Sequence, residues 1–155
     1  KVIEVEYKEG IFVGYRWADK HHVRPLFAFG HGLSYTAFKL SEAKADKSAM
    51  TPSDSITFTI TVQNIGQRAG SEVVQLYIKD KEASLPRPVK ELKGFRKVFL
   101  QPGESRNVSI TIGKDALSFY DDRQQQWVAE PGHFEALIGT ASDKIASHVK
   151  FTLLK

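Results

Sequence analysis

The chain of 155 residues is long enough for one domain with a hydrophobic core and an attached arm. Hydrophobic residues make up 41% and charged residues 26%, an ordinary globular composition, and no stretch approaches the roughly 18 apolar residues of a membrane span. The absence of cysteine excludes disulfides, thiolate metal sites and a cysteine nucleophile. The net charge of +4 is spread among acidic residues rather than gathered in a basic stripe, so we expect no nucleic-acid binding.

Aromatic residues are concentrated at the start of the chain, which lacks both an initiating methionine and the apolar run of a signal peptide. We therefore expect a piece of a longer polypeptide, beginning with an arm over residues 1–36. Glycines and Pro25 interrupt regular elements in this arm, which is predicted to be extended. Each fully buried Phe is worth roughly 2 kcal/mol, so the arm is expected to lie on another surface. Its aromatic residues are Tyr7, Phe12, Tyr15, Trp17, Phe27, Phe29 and Tyr35.

From residue 37 to residue 155 the pattern has a period of two, which is typical of half-buried strands. In residues 55–64, for example, four isoleucine, valine or phenylalanine residues alternate with threonine and glutamine. Strands are predicted over residues 38–45, 55–64, 72–79, 94–100, 108–112, 133–140 and 148–154. Residues 114–119 are predicted to form one helical turn, with Asp115 placed to cap it. Strands at roughly ten-residue spacing with Pro/Gly turns favour an all-β sandwich of two antiparallel sheets.

Several strings in the chain resemble one enzyme family, in order and with similar spacing. They are EGIFVGYRW at 9–17, PLFAFGHGLSYT at 25–36, VQNIG at 62–66, GSEVVQLY at 70–77, RPVKELKGF at 87–95, LQPGE at 100–104 and EPGHF at 130–134. Together they resemble the end of the family three glycoside hydrolases, the β-glucosidase and β-xylosidase group. The resemblance implies an immunoglobulin/fibronectin type III-like sandwich at the C-terminus of such an enzyme, with the arm leaving the preceding catalytic domain.

The resemblance also implies what this domain does. We expect a non-catalytic accessory domain that braces the upstream catalytic domains of a parent that hydrolyses O-glycosidic bonds. The family's nucleophile lies upstream, so no catalytic residue, cofactor or metal ligand is assigned here, and a periplasmic or secreted location is a family-level expectation. The residues expected to contact the catalytic domains are Phe12, Tyr15, Arg16, Trp17, Phe27, Phe29, Tyr35, Arg87 and Lys90. Without those domains, the arm is expected to fold back on the sandwich or to mediate self-association.

Carboxylates and histidines in the chain do not form a convincing catalytic or metal site. A retaining glycosidase needs two carboxylates about 5 Å apart. Asp121 and Asp122 instead suggest a solvated hairpin turn, and a lone sandwich lacks the deep pocket that would raise the pKa of a carboxylic acid such as Glu130. Adjacent histidines such as His21 and His22 point to opposite faces of a strand. His31 fits a hydrogen bond in a glycine-flanked turn better than a metal site.

Two further patterns are each open to two interpretations. Phe119, Tyr120 and Trp127 are able to form a sugar-stacking platform, although packing in the core and hairpin is favoured. Asn107-Val108-Ser109 fits the glycosylation acceptor pattern, but it falls inside a predicted strand and such short matches arise by chance.

Two alternatives to the accessory role remain open from the sequence. A carbohydrate-binding module predicts a row of exposed aromatic residues on one sheet face, and the strand patterns show none clearly. A surface protein-interaction module predicts an arm that folds without catalytic domains. The loop that contains Arg87 and Lys90 is either an enzyme contact, as the resemblance implies, or an exposed charged crossover between the sheets.

Overall fold

Two β-sheets enclose the hydrophobic core in this computed structural model, which describes residues 3–155. The elements are α1 (Tyr15–His21), β1 (Phe38–Leu40), β2 (Lys44–Ala45), β3 (Ala49–Met50), β4 (Ser55–Asn64), β5 (Gly70–Asp80), β6 (Glu91–Leu100), β7 (Ser105–Gly113), β8 (Phe119–Asp121), β9 (Gln126–Val128), β10 (Gly132–Ala141) and β11 (Lys144–Leu153). A 3-10 turn occupies Lys114–Ala116. No helix among the described residues has the length and apolarity that crossing a membrane requires.

The first sheet is built on β4, which pairs with β7 along one edge and with β1 and β2 along the other. The second sheet has the strand order β3-β11-β10-β5-β6 and is antiparallel except for the short β3–β11 pair. Strands β8 and β9, which lie between β7 and β10 in the sequence, form a separate hairpin. The predicted all-β sandwich is confirmed.

The core forms where the apolar faces of the two sheets meet. On β4 the isoleucine, phenylalanine and valine side chains are buried, and the alternate threonines lie on the outer face. Their hydroxyls pair across to β7, as in Thr59 Oγ1 to Ser109 Oγ at 2.8 Å. From the other sheet, Val74 and Leu76 of β5 are fully buried in the same cluster. The period-two pattern therefore gave the correct register, because a slip of one residue would exchange the two faces.

Two local predictions differ from the structure. The strand predicted over residues 38–45 is split into β1 and β2, because the intervening Ala43 turns inward and its N–H bonds to Ser147 Oγ in the opposite sheet at 2.9 Å. The helical turn near residue 114 is present, but Asp115 does not cap it. Gly113 occupies the cap position, and no side chain bonds there.

The arm is extended except for α1. A non-helical Gly14 with φ +59° begins this helix, and His22 ends it in the left-handed region with φ +54°. The N–H of Val23 then closes back on the carbonyl of Ala18 at 2.9 Å. Because the helix spans only seven residues, packing rather than helix propensity must hold it.

Substitutions on β4 and β5 test the register. Ile60 is 3% exposed, so Ile60→Ala is expected to lower the free energy of unfolding by about 2–5 kcal/mol through the cavity it leaves. Val74→Ala should also be clearly destabilising. Thr59→Ala removes one outer-face hydrogen bond and should cost about 1 kcal/mol or less. Urea unfolding measures all three, and equal losses at Ile60 and Thr59 would contradict the observed facing.

Candidate interdomain surface

The inner side of the arm packs on the outer face of the five-stranded sheet. Tyr15 of α1 stacks on Phe29, with ring centroids 4.9 Å apart, and meets the ring of Tyr77 on β5 edge-on at 5.8 Å. The Tyr15 hydroxyl oxygen also accepts a hydrogen bond from the backbone N–H of Leu92 at 2.8 Å. Tyr77 is fully buried although it points away from the core, so the arm covers this part of the outer face.

The second half of the arm lies directly against the side chain of Gln75, which joins β5 to β10. Its side-chain amide donates to the carbonyl of Thr140 at 2.7 Å and accepts from the Tyr77 hydroxyl at 2.5 Å. Burial raises the pKa of Tyr77, so this hydroxyl keeps the proton that it donates. Gly30 lies so close that a Cβ there would sit 2.3 Å from Gln75 Nε2, and its φ of +80° also favours glycine. The carbonyl of Phe29 accepts the Ser142 N–H at 2.9 Å.

A buried arginine joins four parts of the chain beneath α1. Arg87 Nη1 donates to Asp80 Oδ2 and to the carbonyl of Leu117, both at 2.9 Å, and Nη2 donates to Glu91 Oε2 at 2.7 Å. Arg16 of α1 reaches the other oxygen of Glu91 at 3.3 Å. The loop from β5 to β6, the start of β6, the 3-10 turn and the arm therefore share one ionic network.

A second ion pair fastens α1 to the same loop. Lys90 Nζ lies 2.5 Å from Asp19 Oδ2, and Lys90 is 8% exposed. An ion pair this sheltered matters mainly because loss of one partner leaves the other charge buried and unpaired. The interpretation of this loop as an exposed charged crossover is wrong, since both Arg87 and Lys90 are turned inward.

Glu91 is the carboxylate on which these cations converge. Burial alone would raise its pKa, but the hydrogen bond from Arg87 and the charges of Lys93, Arg87 and Arg16 lower the pKa of Glu91 overall. Lys93 lies 3.7 Å from Glu91, and burial lowers the pKa of Lys93 despite that neighbour. Glu91 is therefore ionised at neutral pH, and the contacts of the network depend on its charge.

The outer side of the arm is apolar and exposed. Leu26, Leu33 and Tyr35 are each more than nine-tenths exposed, at 91%, 95% and 91%. Among the described residues of the arm, the other exposed large apolar side chains are Ile3, Val5, Tyr7, Ile11, Val13, Trp17, Val23, Phe27 and Phe29. Scattered exposed apolar residues are ordinary, but a concentration of this size on one segment marks an interaction surface. We use the term outer arm surface for the exposed parts of seven side chains: Trp17, Val23, Leu26, Phe27, Phe29, Leu33 and Tyr35.

The residues predicted to contact another domain divide into those that hold the arm on its own sandwich and those that are exposed. Tyr15, Arg16, Arg87 and Lys90 bind the arm to its own sandwich, while Phe12 is half-buried beneath Lys20 Nζ, 3.5 Å from its ring centre. The remaining four lie on the outer arm surface: Trp17, Phe27, Phe29 and Tyr35. Sequence reasoning missed the partners Asp19, Gln75, Asp80 and Glu91. The buried run across β5, where both faces are covered, was the available signal.

Two of the three acidic residues weighed as catalytic groups, Asp121 and Glu130, have structural roles. The Asp121 carboxylate accepts hydrogen bonds from the backbone N–H of Arg123 at 2.9 Å and from the Gln124 side chain at 2.8 Å. Burial alone would raise the pKa of Asp121, but these bonds lower it overall. It is 2% exposed, so the expectation of a solvated turn is wrong for this residue. Glu130 accepts the Ser84 N–H at 2.9 Å and hydroxyl at 2.5 Å, which ties down the loop.

His21 and His22 lie at the end of α1, so their assignment to a strand is wrong, and two of the histidines weighed as metal ligands pack against aromatic rings. His21 packs against Trp17 at 4.5 Å between ring centroids, and His31 packs against Phe27 at 5.2 Å. Across residues 3–155, no group of three or more potential ligands is arranged to hold a metal ion.

Part of the sandwich matches the profile of a known domain family. The family profile of the fibronectin type III-like domain matches residues 72–142, which run from β5 to the end of β10. The chain is thus a fibronectin type III-like domain with an N-terminal arm docked on its outer face.

Its relatives place this domain within larger enzymes. A β-glucosidase of Bacteroides ovatus is 50% identical over 153 residues, which is 99% of this chain and 20% of that protein. Thermostable β-glucosidase B of Acetivibrio thermocellus is 50% identical over 141 residues, covering 91% of this chain and 19% of that protein. The chain corresponds to the C-terminal portion of family three β-glucosidases, and it spans about a fifth of the length of these relatives.

Solved structures agree with this assignment. The β-glucosidase of Kluyveromyces marxianus in complex with glucose superposes with a TM-score of 0.89 at 42% identity, over 96% of this chain and 18% of that one. β-Glucosidase 3B of Thermotoga neapolitana gives a TM-score of 0.85 at 36% identity, over 94% and 20% of the two chains. Both coverages include the arm as well as the sandwich.

Acid should weaken the ionic network through Glu91. Because its folded-state pKa lies below the ordinary 4.5, its stabilising effect is complete above that value and is lost as pH falls through the lowered pKa. Glu91→Gln is expected to reduce the free energy of unfolding by about 1.5–3 kcal/mol near neutral pH. That difference should shrink progressively in acid. Urea titrations at several pH values, with the exposed Glu42→Gln as control, measure it, and a pH-independent difference would contradict the assignment.

Removal of residues 1–33 should leave a folded sandwich. All strands begin after that point, and every member of the main core cluster lies beyond it. The deletion uncovers Tyr77 and leaves Lys90 without Asp19, so we expect a lower melting temperature but a retained cooperative transition. Light scattering should show less self-association than in the intact chain. If the truncated chain does not fold, the arm is an integral part of the sandwich.

Proposed function

We propose that this chain is a non-catalytic accessory domain that braces the catalytic part of a family three β-glycosidase. In this role the arm is clamped between two surfaces. Its inner side binds the sandwich, and its outer side packs on the preceding catalytic domain. The parent would hydrolyse O-glycosidic bonds, as the β-glucosidases named above are described to do.

The observation that carries the proposal is the contrast between the two sides of one short segment. The inner side is specified by polar contacts, such as Lys90 with Asp19 and Leu92 with Tyr15. The outer side exposes Leu26, Phe27, Leu33 and Tyr35, whose side chains form no such polar contacts with the rest of the described chain. Burying apolar area contributes about 25 cal/mol per Å², so a surface of this size stabilises whatever covers it.

The length of the relatives supports the preceding catalytic domain as the partner that covers the outer arm surface. The chain matches their C-terminal fifth, so about four-fifths of each relative precedes the arm. The arm is the first part of this chain to follow that region and is therefore the segment nearest to it in sequence. A connection of this kind, apolar and continuous with a rigid docked segment, favours a fixed rather than a mobile domain.

Substitutions on the outer arm surface test the proposal in two backgrounds. Leu33→Asp and Tyr35→Ser change side chains that are almost fully exposed, so each should alter the stability of the isolated chain by about 0.5 kcal/mol or less. In the full-length parent, Leu33→Asp should bury an unpaired charge. We expect it to lower the melting temperature of the parent and to increase its susceptibility to proteolysis at the arm.

Ser105→Asp provides the matched control, because it adds the same charge at an exposed position of β7 on the other sheet. It should leave both backgrounds unchanged. The bracing role is wrong if Leu33→Asp and Tyr35→Ser leave the melting temperature of the parent as unaffected as Ser105→Asp does. It is equally wrong if they destabilise the isolated chain to the same extent as the parent.

A further inference from the structure

A second surface, separate from the outer arm surface, has the chemistry of a ligand site. The β8–β9 hairpin places Tyr120 and Trp127 directly opposite each other, with ring centroids 5.8 Å apart in an edge-to-face arrangement. Tyr120 is 51% exposed and Trp127 is 69% exposed. The predicted packing within the hairpin is therefore correct, but the predicted packing in the core is wrong for these two rings, which are otherwise open.

The exposed rings form one wall of a cavity of about 690 Å³. Small-molecule sites commonly occupy roughly 300–1,000 Å³. The opposite wall is the loop from β5 to β6, including Pro86 and the buried Pro88, and α1 contributes Arg16. That loop is held in place by the bonds of Arg87, so the cavity is formed before any ligand arrives and binding would not have to order it.

Charged groups in and beneath this cavity are balanced. The cations Arg16, Arg87 and Lys93 are matched by the carboxylates Asp80, Glu91 and Asp122. A phosphate or carboxylate ligand would meet as many negative as positive charges, so the site does not favour an anion. It offers instead hydrogen-bonding groups of both kinds to a neutral ligand.

Asp122 is the acceptor most available to such a ligand. It is exposed, lines the cavity and makes none of the hydrogen bonds that occupy its neighbour Asp121. Lys93 faces the same space and supplies a donor. An apolar aromatic wall beside an exposed carboxylate and a partly buried ammonium suits a molecule with one face of C–H groups and a rim of hydroxyls.

We propose that this cavity binds a pyranosyl unit of a neutral glycoside. The C–H face of the sugar would pack on Trp127, with Tyr120 at its edge, and vicinal hydroxyls would bond to Asp122 and Lys93. The proposal goes beyond the bracing role and does not depend on it, because the two surfaces use different residues. It adds a carbohydrate contact that is non-catalytic and independent of any catalytic centre in the parent.

Tryptophan fluorescence tests the proposal on the chain itself. The chain has two tryptophans, so Trp17→Phe leaves Trp127 as the sole reporter. Titration of this variant with cellobiose and with methyl β-D-glucopyranoside should give a saturable change in emission. Cyclohexanol serves as an apolar ring without the hydroxyl rim and should bind more weakly than either sugar.

Substitutions then locate the site, with binding followed by ligand-observed NMR. Trp127→Ala and Tyr120→Ala should weaken sugar binding, Trp127→Ala by about tenfold, because the stacking face is lost. Asp122→Asn should weaken it several-fold while leaving cyclohexanol unaffected. Phe99→Ala removes an exposed aromatic ring on β6 outside the cavity and should change nothing.

Unchanged thermal melts would show that these exposed substitutions preserve the fold. The proposal is overturned if neither sugar gives saturable binding, if Trp127→Ala binds as tightly as the intact chain, or if cyclohexanol binds as well as the sugars. None of these outcomes bears on the outer arm surface. A failed sugar site and a failed bracing role are therefore distinguishable.

Discussion

The guanidinium of Arg87 connects the ends of two neighbouring strands to the 3-10 turn and, indirectly, to the arm. It bonds to the last residue of β5, the first residue of β6 and the carbonyl that follows the 3-10 turn. Through Glu91 it also reaches Arg16 on the arm. A planar group with several fixed donors suits this position, and lysine would supply only a point charge. The long loop, the docking site of α1 and one wall of the cavity all depend on this single buried group.

The arm covers part of the outer face of the five-stranded sheet and replaces it with a different surface. An antiparallel sheet usually leaves its outer face to water. Here Tyr77 packs against Tyr15 of the arm, Gln75 satisfies the Tyr77 hydroxyl, and Gly30 allows the arm to approach Gln75 closely. The chain thereby presents a new outer surface whose shape is fixed by the sandwich but whose apolar side chains are its own. This arrangement suits a rigid connector between domains, because the inner side of the arm is bonded to the sandwich and its outer side is apolar and exposed.

The cavity beside the β8–β9 hairpin arises from the same construction. Its walls come from the arm, the long loop and the hairpin, which are distant in sequence. No one of these segments forms a site alone. The hairpin supplies the exposed rings. The ionic network holds the loop that forms the opposite wall. A carbohydrate contact and a bracing surface are compatible on one small domain, because the core that supports them is independent of both.

Sequence alone determined the parts of this protein that depend on local alternation and on order along the chain. The period-two run on β4 specified which side chains are buried, and the ordered strings predicted the family. Tertiary structure decided the break at Ala43, the inward turn of Arg87 and Lys90, the covering of Tyr77 and the exposure of Trp127. Each of these depends on a partner far away in sequence, such as Ser147 for Ala43 or Asp19 for Lys90. Alternation reports which face a side chain takes, but not what covers that face, because the covering segment comes from a distant part of the chain.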